Sequence, residues 1–328
     1  MPSRKIEDQL ALLSALRPSS VKAAAADVIR RSLAANVGLV VARAANKCAE
    51  LGLADMIPDL LASFDRMFGS ATKSDAAKLD PQCWAKKAIV DALVALDYRG
   101  AGPFMRGATY FQMEAVWGES VDTAAGLRGA CLLALAASPE ITRLDLLRFY
   151  VDRLPDPDKT VRREILRALE QVGGADCALL VRMKARLGDK EPEVIGQAFE
   201  SILHLEGEQG VVFVGEFLAS ADPDIRSEAA LALALARLPT AVARVIEAWE
   251  RTNDPTILRA IGLSRLPEAF DCLIQVIETG SSRDCEAALK ALEPHLISDA
   301  EQAIAERRVP ESLRERVDKA LAKRNAFE

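Results

Sequence analysis

Along most of the chain, apolar residues recur three and four positions apart, in runs separated by short breaks holding Asp, Pro or Gly. That spacing is the period of an amphipathic helix with one apolar stripe. After Asp222-Pro223-Asp224, for example, Ile225, Ala229, Ala232 and Leu233 fall on one such stripe. An Asp before Pro offers a side-chain oxygen to the free N–H groups of a helix start, and Pro suits the first helical position. Each run then meets a break, as at Gly173-Gly174, Gly207, Pro239 or Pro267, and a second amphipathic run follows. Examples of the second run are CALLVRMKARL from Cys177 and AVARVIEAWERT from Ala241. The pattern predicts helical hairpins, each with a strip of core too small to be stable alone.

These hairpins repeat. DPDKTVRREILRALEQVG from Asp156, KEPEVIGQAFESILHLEG from Lys190, ADPDIRSEAALALALARL from Ala221 and NDPTILRAIGLSRL from Asn253 share one grammar. Their first apolar positions, Val161, Val194, Ile225 and Ile257, are 33, 31 and 32 residues apart. Leu127 lies 34 residues before Val161 in a fainter copy, and degenerate copies follow near Cys285 and Leu313. Upstream, the runs from Leu79 and Asn36 fit more loosely. A fixed period near 32 residues marks a repeat array, in which neighbours bury a continuous core by stacking.

The wording D-P-D-x-x-V-R-x-x-x-x-x-A-L, carried by Asp156, Pro157, Asp158, Val161, Arg162, Ala168 and Leu169, resembles the HEAT-repeat family, in particular its short bacterial HEAT-like or PBS-lyase type. Asp222, Pro223, Asp224, Ile225 and Arg226 match with a turn one residue shorter. The resemblance implies an all-α fold, a right-handed α-solenoid of roughly eight stacked hairpins forming a single domain over 1–328. Within it, residues 1–35 are expected as N-terminal capping helices and 310–328 as a C-terminal cap. The polar, small-residue stretch 69–80 is expected as an exposed loop, and 99–122 as an aromatic-rich insertion.

Composition sharpens this picture. The 56 alanines favour helices and let them approach closely. A balance of 42 Lys+Arg against 48 Asp+Glu, net charge −6, makes nucleic acid an unlikely partner of the chain as a whole. The N-terminus lacks the apolar core of a signal peptide, and no window reaches membrane-spanning length, so no membrane partner and a cytoplasmic location are expected. Six cysteines lie far apart without metal-ligand spacing, which reads as reduced core thiols and neither a metal site nor a cofactor.

Candidate chemistry is sparse. His204 and His295 are isolated, and no phosphate loop, nucleophile elbow or zinc-protease motif is present, so no catalytic residue is nominated. The main departure from the repeat is the segment Tyr98 to Asp122, where the unit spacing stretches to about 42 residues. It holds five of the sixteen aromatic residues, Tyr98, Phe104, Tyr110, Phe111 and Trp117. Aromatic rings and arginine are what interface hot spots use, which nominates Arg106, Tyr110, Phe111, Glu114 and Trp117 as partner-binding residues. The competing reading has the rings filling core in a thicker second helix. A basic run supplies a second set, Arg163, Arg167, Arg182 and Arg186, beside Arg162 and Lys184, although Glu164, Glu170 and Asp189 interleave.

The leading functional expectation is a non-catalytic scaffold or adaptor that holds a protein partner on its concave face or at the Tyr98–Trp117 insertion. The alternative is a HEAT-fold enzyme acting on nucleic acid, resembling the alkylpurine DNA glycosylases, with Trp117 and either Glu114 or Asp122 in its site. Bilin-lyase activity follows only from the shared repeat. The sequence names neither the partner nor an oligomeric state.

Overall fold

The computed structural model describes residues 4–17, 22–69, 73–116 and 118–292. Trp117, His295, the copy near Leu313 and the expected cap at 310–328 lie outside them. The all-α expectation holds: the described residues form eighteen α-helices and one two-stranded sheet. They divide after Val172 into two compact units. At the divide, Gly173 and Gly174 both adopt positive φ (71° and 85°), a conformation that ends a helix and that glycine enters without steric cost.

The first unit contains α1 (Arg4–Ala15), α2 (Lys22–Leu33), α3 (Gly38–Glu50), α4 (Ile57–Met67) and α5 (Lys73–Leu79). It continues with α6 (Trp84–Ala95), α7 (Ala101–Gly107), β1 (Met113–Val116), β2 (Glu119–Asp122), α8 (Ala125–Leu135), α9 (Arg143–Val151) and α10 (Lys159–Val172). Helices α3, α6, α8 and α10 pack in series, each on the next, and α2, α4 and α7 form a second row beside them. Leu13 of α1, and Ile29, Leu60, Phe64, Ile89, Leu132 and Leu166 of the two rows, are buried.

The second unit contains α11 (Gly174–Leu187), α12 (Pro192–Glu206), α13 (Glu208–Gly215), α14 (Pro223–Leu235), α15 (Pro239–Thr252), α16 (Pro255–Leu263), α17 (Pro267–Thr279) and α18 (Ser282–Leu292). Here α12, α14, α16 and α18 stack in sequence, with α13, α15 and α17 alongside. Each unit is thus a stack of helical hairpins, as the repeat grammar predicts.

Motif residues do local work in both units. Asp222 Oδ1 accepts the Asp224 amide at 2.9 Å, and Asp254 Oδ1 accepts the Thr256 amide at 3.0 Å, each just before a proline at the first helical position. The basic motif residue closes the same turn from inside: Arg162 Nη1 donates to the carbonyls of Asp156 (2.7 Å) and Pro157 (3.1 Å). Arg226 Nη1 repeats this with the carbonyls of Ser220 (2.9 Å) and Ala221 (3.2 Å). Small residues set the helix spacing. A Cβ added to Gly262 on α16 would lie 1.9 Å from the Ala291 carbonyl of α18.

The described part of the segment expected as an exposed loop differs from that expectation. Lys73–Leu79 is helical, and Ala76 and Asp80 are fully buried. The polar composition that suggested a loop belongs to a short helix whose last turn delivers Asp80 to the interior. The insertion departs from the core-filling reading of a thickened second helix: its described residues form a short helix, α7, followed by a β-hairpin.

Candidate functional site

The hairpin is seated on a polar cluster that begins at Asp80. Its carboxylate accepts the α6 amides of Ala85 (Oδ1, 2.7 Å) and Lys86 (Oδ2, 3.0 Å), and so caps α6 from inside the protein. To bring those amides back over Asp80, the chain passes through two consecutive left-handed residues, Gln82 (φ 56°) and Cys83 (φ 55°). Neither is glycine, so the turn is strained and held by its surroundings. The Lys86 ammonium, fully buried like Asp80, donates to Asp80 Oδ2 at 2.9 Å and to the Met67 carbonyl at 3.2 Å. It also lies 5.6 Å and 5.4 Å from the ring centroids of Phe68 and Tyr110.

Gln112, buried, connects this pair to the hairpin. Its Nε2 donates to the Asp80 carbonyl (2.9 Å) and to Glu114 Oε1 (2.7 Å), while its Oε1 accepts the Tyr110 hydroxyl (2.9 Å). Glu114 Oε1 also accepts the Gln82 amide (2.7 Å) and the Thr123 hydroxyl (2.6 Å). Burial raises the Glu114 pKa, but the donors Thr123, Gln112 and Gln82 and the Lys86 charge outweigh it and hold the group below the ordinary glutamate value. Burial, with the nearby Cys83, Asp80 and Glu114, pushes the Tyr110 phenol up to about 12 against the smaller effect of Arg106.

Arg128, 1% exposed, anchors the other strand. Its Nε and Nη2 reach the two carboxylate oxygens of Asp156 at 3.0 Å each, a bidentate fork. Its Nη1 donates to Asp122 Oδ2 (2.6 Å) and to the Tyr110 carbonyl (3.1 Å), and the guanidinium sits 3.9 Å from the Phe111 ring centroid. Arg106 Nη1 pairs with Asp65 at 2.7 Å, and its guanidinium covers Phe68 at 4.0 Å. Tyr110 meets Phe68 edge-on at 4.8 Å. Of the insertion residues nominated from sequence, the fold therefore joins Arg106, Tyr110, Phe111 and Glu114 around Phe68, Lys86 and Arg128.

Every polar head in this cluster is engaged by a neighbour in it. The cluster fixes the hairpin's base, whereas the hairpin's apolar side chains face outward: Phe111, Met113 and Val121 are all exposed.

The second nominated set falls in two different units, with Arg163 and Arg167 on α10 and Arg182 and Arg186 on α11. Arg163 is half-buried, and Arg167 pairs with Glu164 at 3.3 Å. Arg182 Nε contacts both carboxylate oxygens of Glu206 (2.9 and 2.8 Å) and stacks 4.3 Å from Phe213. Arg186 pairs with Glu216 and lies 4.6 Å from Phe213 and 5.0 Å from Phe217. Arg167, Arg182 and Arg186 thus have acidic neighbours inside their own units, so the run is a mixed-charge surface.

Sequence reasoning missed several exposed apolar positions. Met113 and Val121 follow from the hairpin, for which two short runs flanking Trp117-Gly118 were the available signal. Leu179, Met183 and Leu187 line one exposed side of α11, opposite its buried face. An open groove of about 380 Å³ between α6 and α8 is lined by Val94, Tyr98, Leu133 and Ala137.

No known family profile matches the chain, and no curated protein matches it. Among solved structures, it is similar to an engineered protein at 17% identity and a TM-score of 0.36, covering 93% of this chain and 98% of that one. It is also similar to human deoxyhypusine hydroxylase in complex with glycerol, at 15% identity and a TM-score of 0.30, over 89% of this chain and 96% of that one. A second engineered protein aligns at 18% identity and a TM-score of 0.28, over 81% and 94% of the two chains. At such scores the likenesses bear on neither activity nor ligands. Among the described residues, no helix is long and apolar enough to cross a membrane.

Proposed function

We propose that the protein is a non-catalytic interaction module of the short HEAT-like type, and that it holds a protein partner at the 99–122 insertion. One observation carries this reading. Arg106, Tyr110, Glu114 and Asp122 of the insertion are tied to neighbours within the fold, while the apolar residues Phe111, Met113 and Val121 are exposed on a rigidly seated hairpin. A catalytic site needs polar groups left facing a substrate, whereas a docking site needs exposed apolar area on a fixed support.

The test is affinity capture from nuclease-treated lysate of the native host, with wild-type chain and a Met113→Ser/Val121→Ser variant of equal helicity. Both residues are exposed, so the variant folds. Capture of a protein by wild type and its loss from the variant supports the reading. Equal capture by both moves the binding surface elsewhere, and salt-sensitive retention of DNA in place of protein favours the nucleic-acid alternative.

A further inference from the structure

The hairpin sits at the surface of an otherwise helical protein with its strand edges uncovered. Thr123 donates its amide to the Gln112 carbonyl at 2.9 Å, and the strands pair Met113 with Asp122, Glu114 with Val121, Ala115 with Ser120 and Val116 with Glu119. Antiparallel pairs alternate between hydrogen-bonded and non-bonded sites. With Gln112 and Thr123 at a bonded site, Glu114–Val121 and Val116–Glu119 are bonded as well. Met113 and Ala115 occupy the alternate sites, so their N–H and C=O groups point away from β2. No other backbone or side chain among the described residues meets these groups, and both residues are exposed.

Natural sheet edges are blunted by lysine, proline, a bulge or a covering segment. Between Phe111 and Asp122 this chain has neither lysine, arginine nor proline, and the ladder runs in register without a bulge. The edge is also rigidly presented: Gln112, Glu114 and Asp122 are bonded to Asp80, Gln82 and Arg128 at its base, and the Thr123 hydroxyl donates to Glu114. An uncovered edge of this kind is a ready template for pairing with another chain.

We infer that the free edge of β1, at Met113 and Ala115, receives an extended segment of a partner protein as a third strand. This rests on the protein-binding reading above and specifies how the partner is held. The size of the edge selects the occupant. Four residues span about 13 Å, and strand pairing over that length buries far less than the roughly 1,200 Å² a stable dimer needs, so a second copy of this chain is not the occupant. A flexible strand needs only the main-chain bonds plus pockets for alternate side chains. Its apolar residues would flank Met113. A lysine or arginine in it would be drawn to Glu119, which is exposed on a hairpin that carries no basic residue.

Random twelve-residue peptides displayed on phage serve as the probe, selected on the full chain. Selected peptides should alternate apolar residues and carry a basic one. Their affinity should fall at least about tenfold for Ala115→Pro, which deletes one outward N–H while leaving the bonded sites Glu114–Val121 and Val116–Glu119 intact. N-methylation of single peptide residues leaves the protein untouched and should weaken binding at every second residue only. On binding, amide exchange at Met113 and Ala115 should slow at least about tenfold.

Flat sensitivity along the N-methyl scan, unchanged exchange at those two amides, or a library that yields no Ala115-dependent peptide overturns the inference. A native partner lost from Met113→Ser/Val121→Ser but kept by Ala115→Pro would leave the docking surface standing and remove the strand mode. A partner kept by both variants would remove the docking surface itself.

Discussion

Replacing Asp80 by alanine is the sharpest test of how the hairpin's support is built. Asp80 receives three donors, the Ala85 and Lys86 amides and the Lys86 ammonium, at 2.7, 3.0 and 2.9 Å. Its loss removes a helix cap, worth about 1 kcal/mol. It also strands a fully buried ammonium with only the Met67 carbonyl and two ring faces at 5.6 and 5.4 Å. Breaking a buried pair on one side costs about 3–5 kcal/mol, because the remaining charge has no compensating solvent. Asp80→Ala should therefore destabilise the first unit by about 4 kcal/mol. The double variant Asp80→Ala/Lys86→Met removes the stranded charge and should lose only the cap, about 1 kcal/mol. Urea unfolding in a Trp249→Phe background isolates the first unit, because Trp84 and Trp117 then supply the fluorescence. If the single and double variants lie within 1 kcal/mol of each other, or if Asp80→Ala costs less than that, the buried-pair reasoning is refuted.

Three further outcomes are expected. Arg128→Met leaves the Asp122 and Asp156 carboxylates without their guanidinium and should lower the stability of the first unit by roughly 3 kcal/mol, whereas Arg128→Lys keeps the charge and loses the fork, with a smaller loss in the same assay. Gly262→Ala forces a methyl to within 1.9 Å of the Ala291 carbonyl and should destabilise the second unit by about 2 kcal/mol, read by thermal unfolding at the Trp249 signal. The Glu114 pKa is lowered by folding, so its contribution is present above the unfolded glutamate value and is lost as pH falls through the lower folded one. Wild type should accordingly lose stability more steeply than Glu114→Gln as pH drops below about 4.5, measured by urea midpoints across pH.

The insertion shows how far the chain's own pattern reaches. Its aromatic density marked the segment that departs from the helical repeat, and Arg106, Tyr110, Phe111 and Glu114 do meet in space. Yet the residues that organise them, Asp80, Lys86 and Arg128, looked like ordinary repeat or loop residues, since nothing nearby in sequence marks their pairing. The partners of the basic run were hidden for the same reason: Arg162 reads as a surface charge but is 4% exposed and closes a turn, and Arg182 faces Glu206 one helix later.

The sequence by itself determined the helices of the repeat, the Asp-Pro caps at Asp222 and Asp254, and the order in which the repeats stack. Helical period, Asp-Pro starts and glycine stops act within a few residues, and consecutive hairpins pack on the neighbours the chain delivers. Only the tertiary structure decided which polar groups meet across the fold, such as the Gln82 amide with Glu114, 32 residues on, and Arg128 with Asp156, 28 residues on. It also decided that Ala76 and Asp80 turn inward and that strands Met113–Val116 and Glu119–Asp122 form a hairpin with an open edge. Those outcomes depend on which groups burial deprives of water, and burial is set by the packed whole, not by any local run of residues.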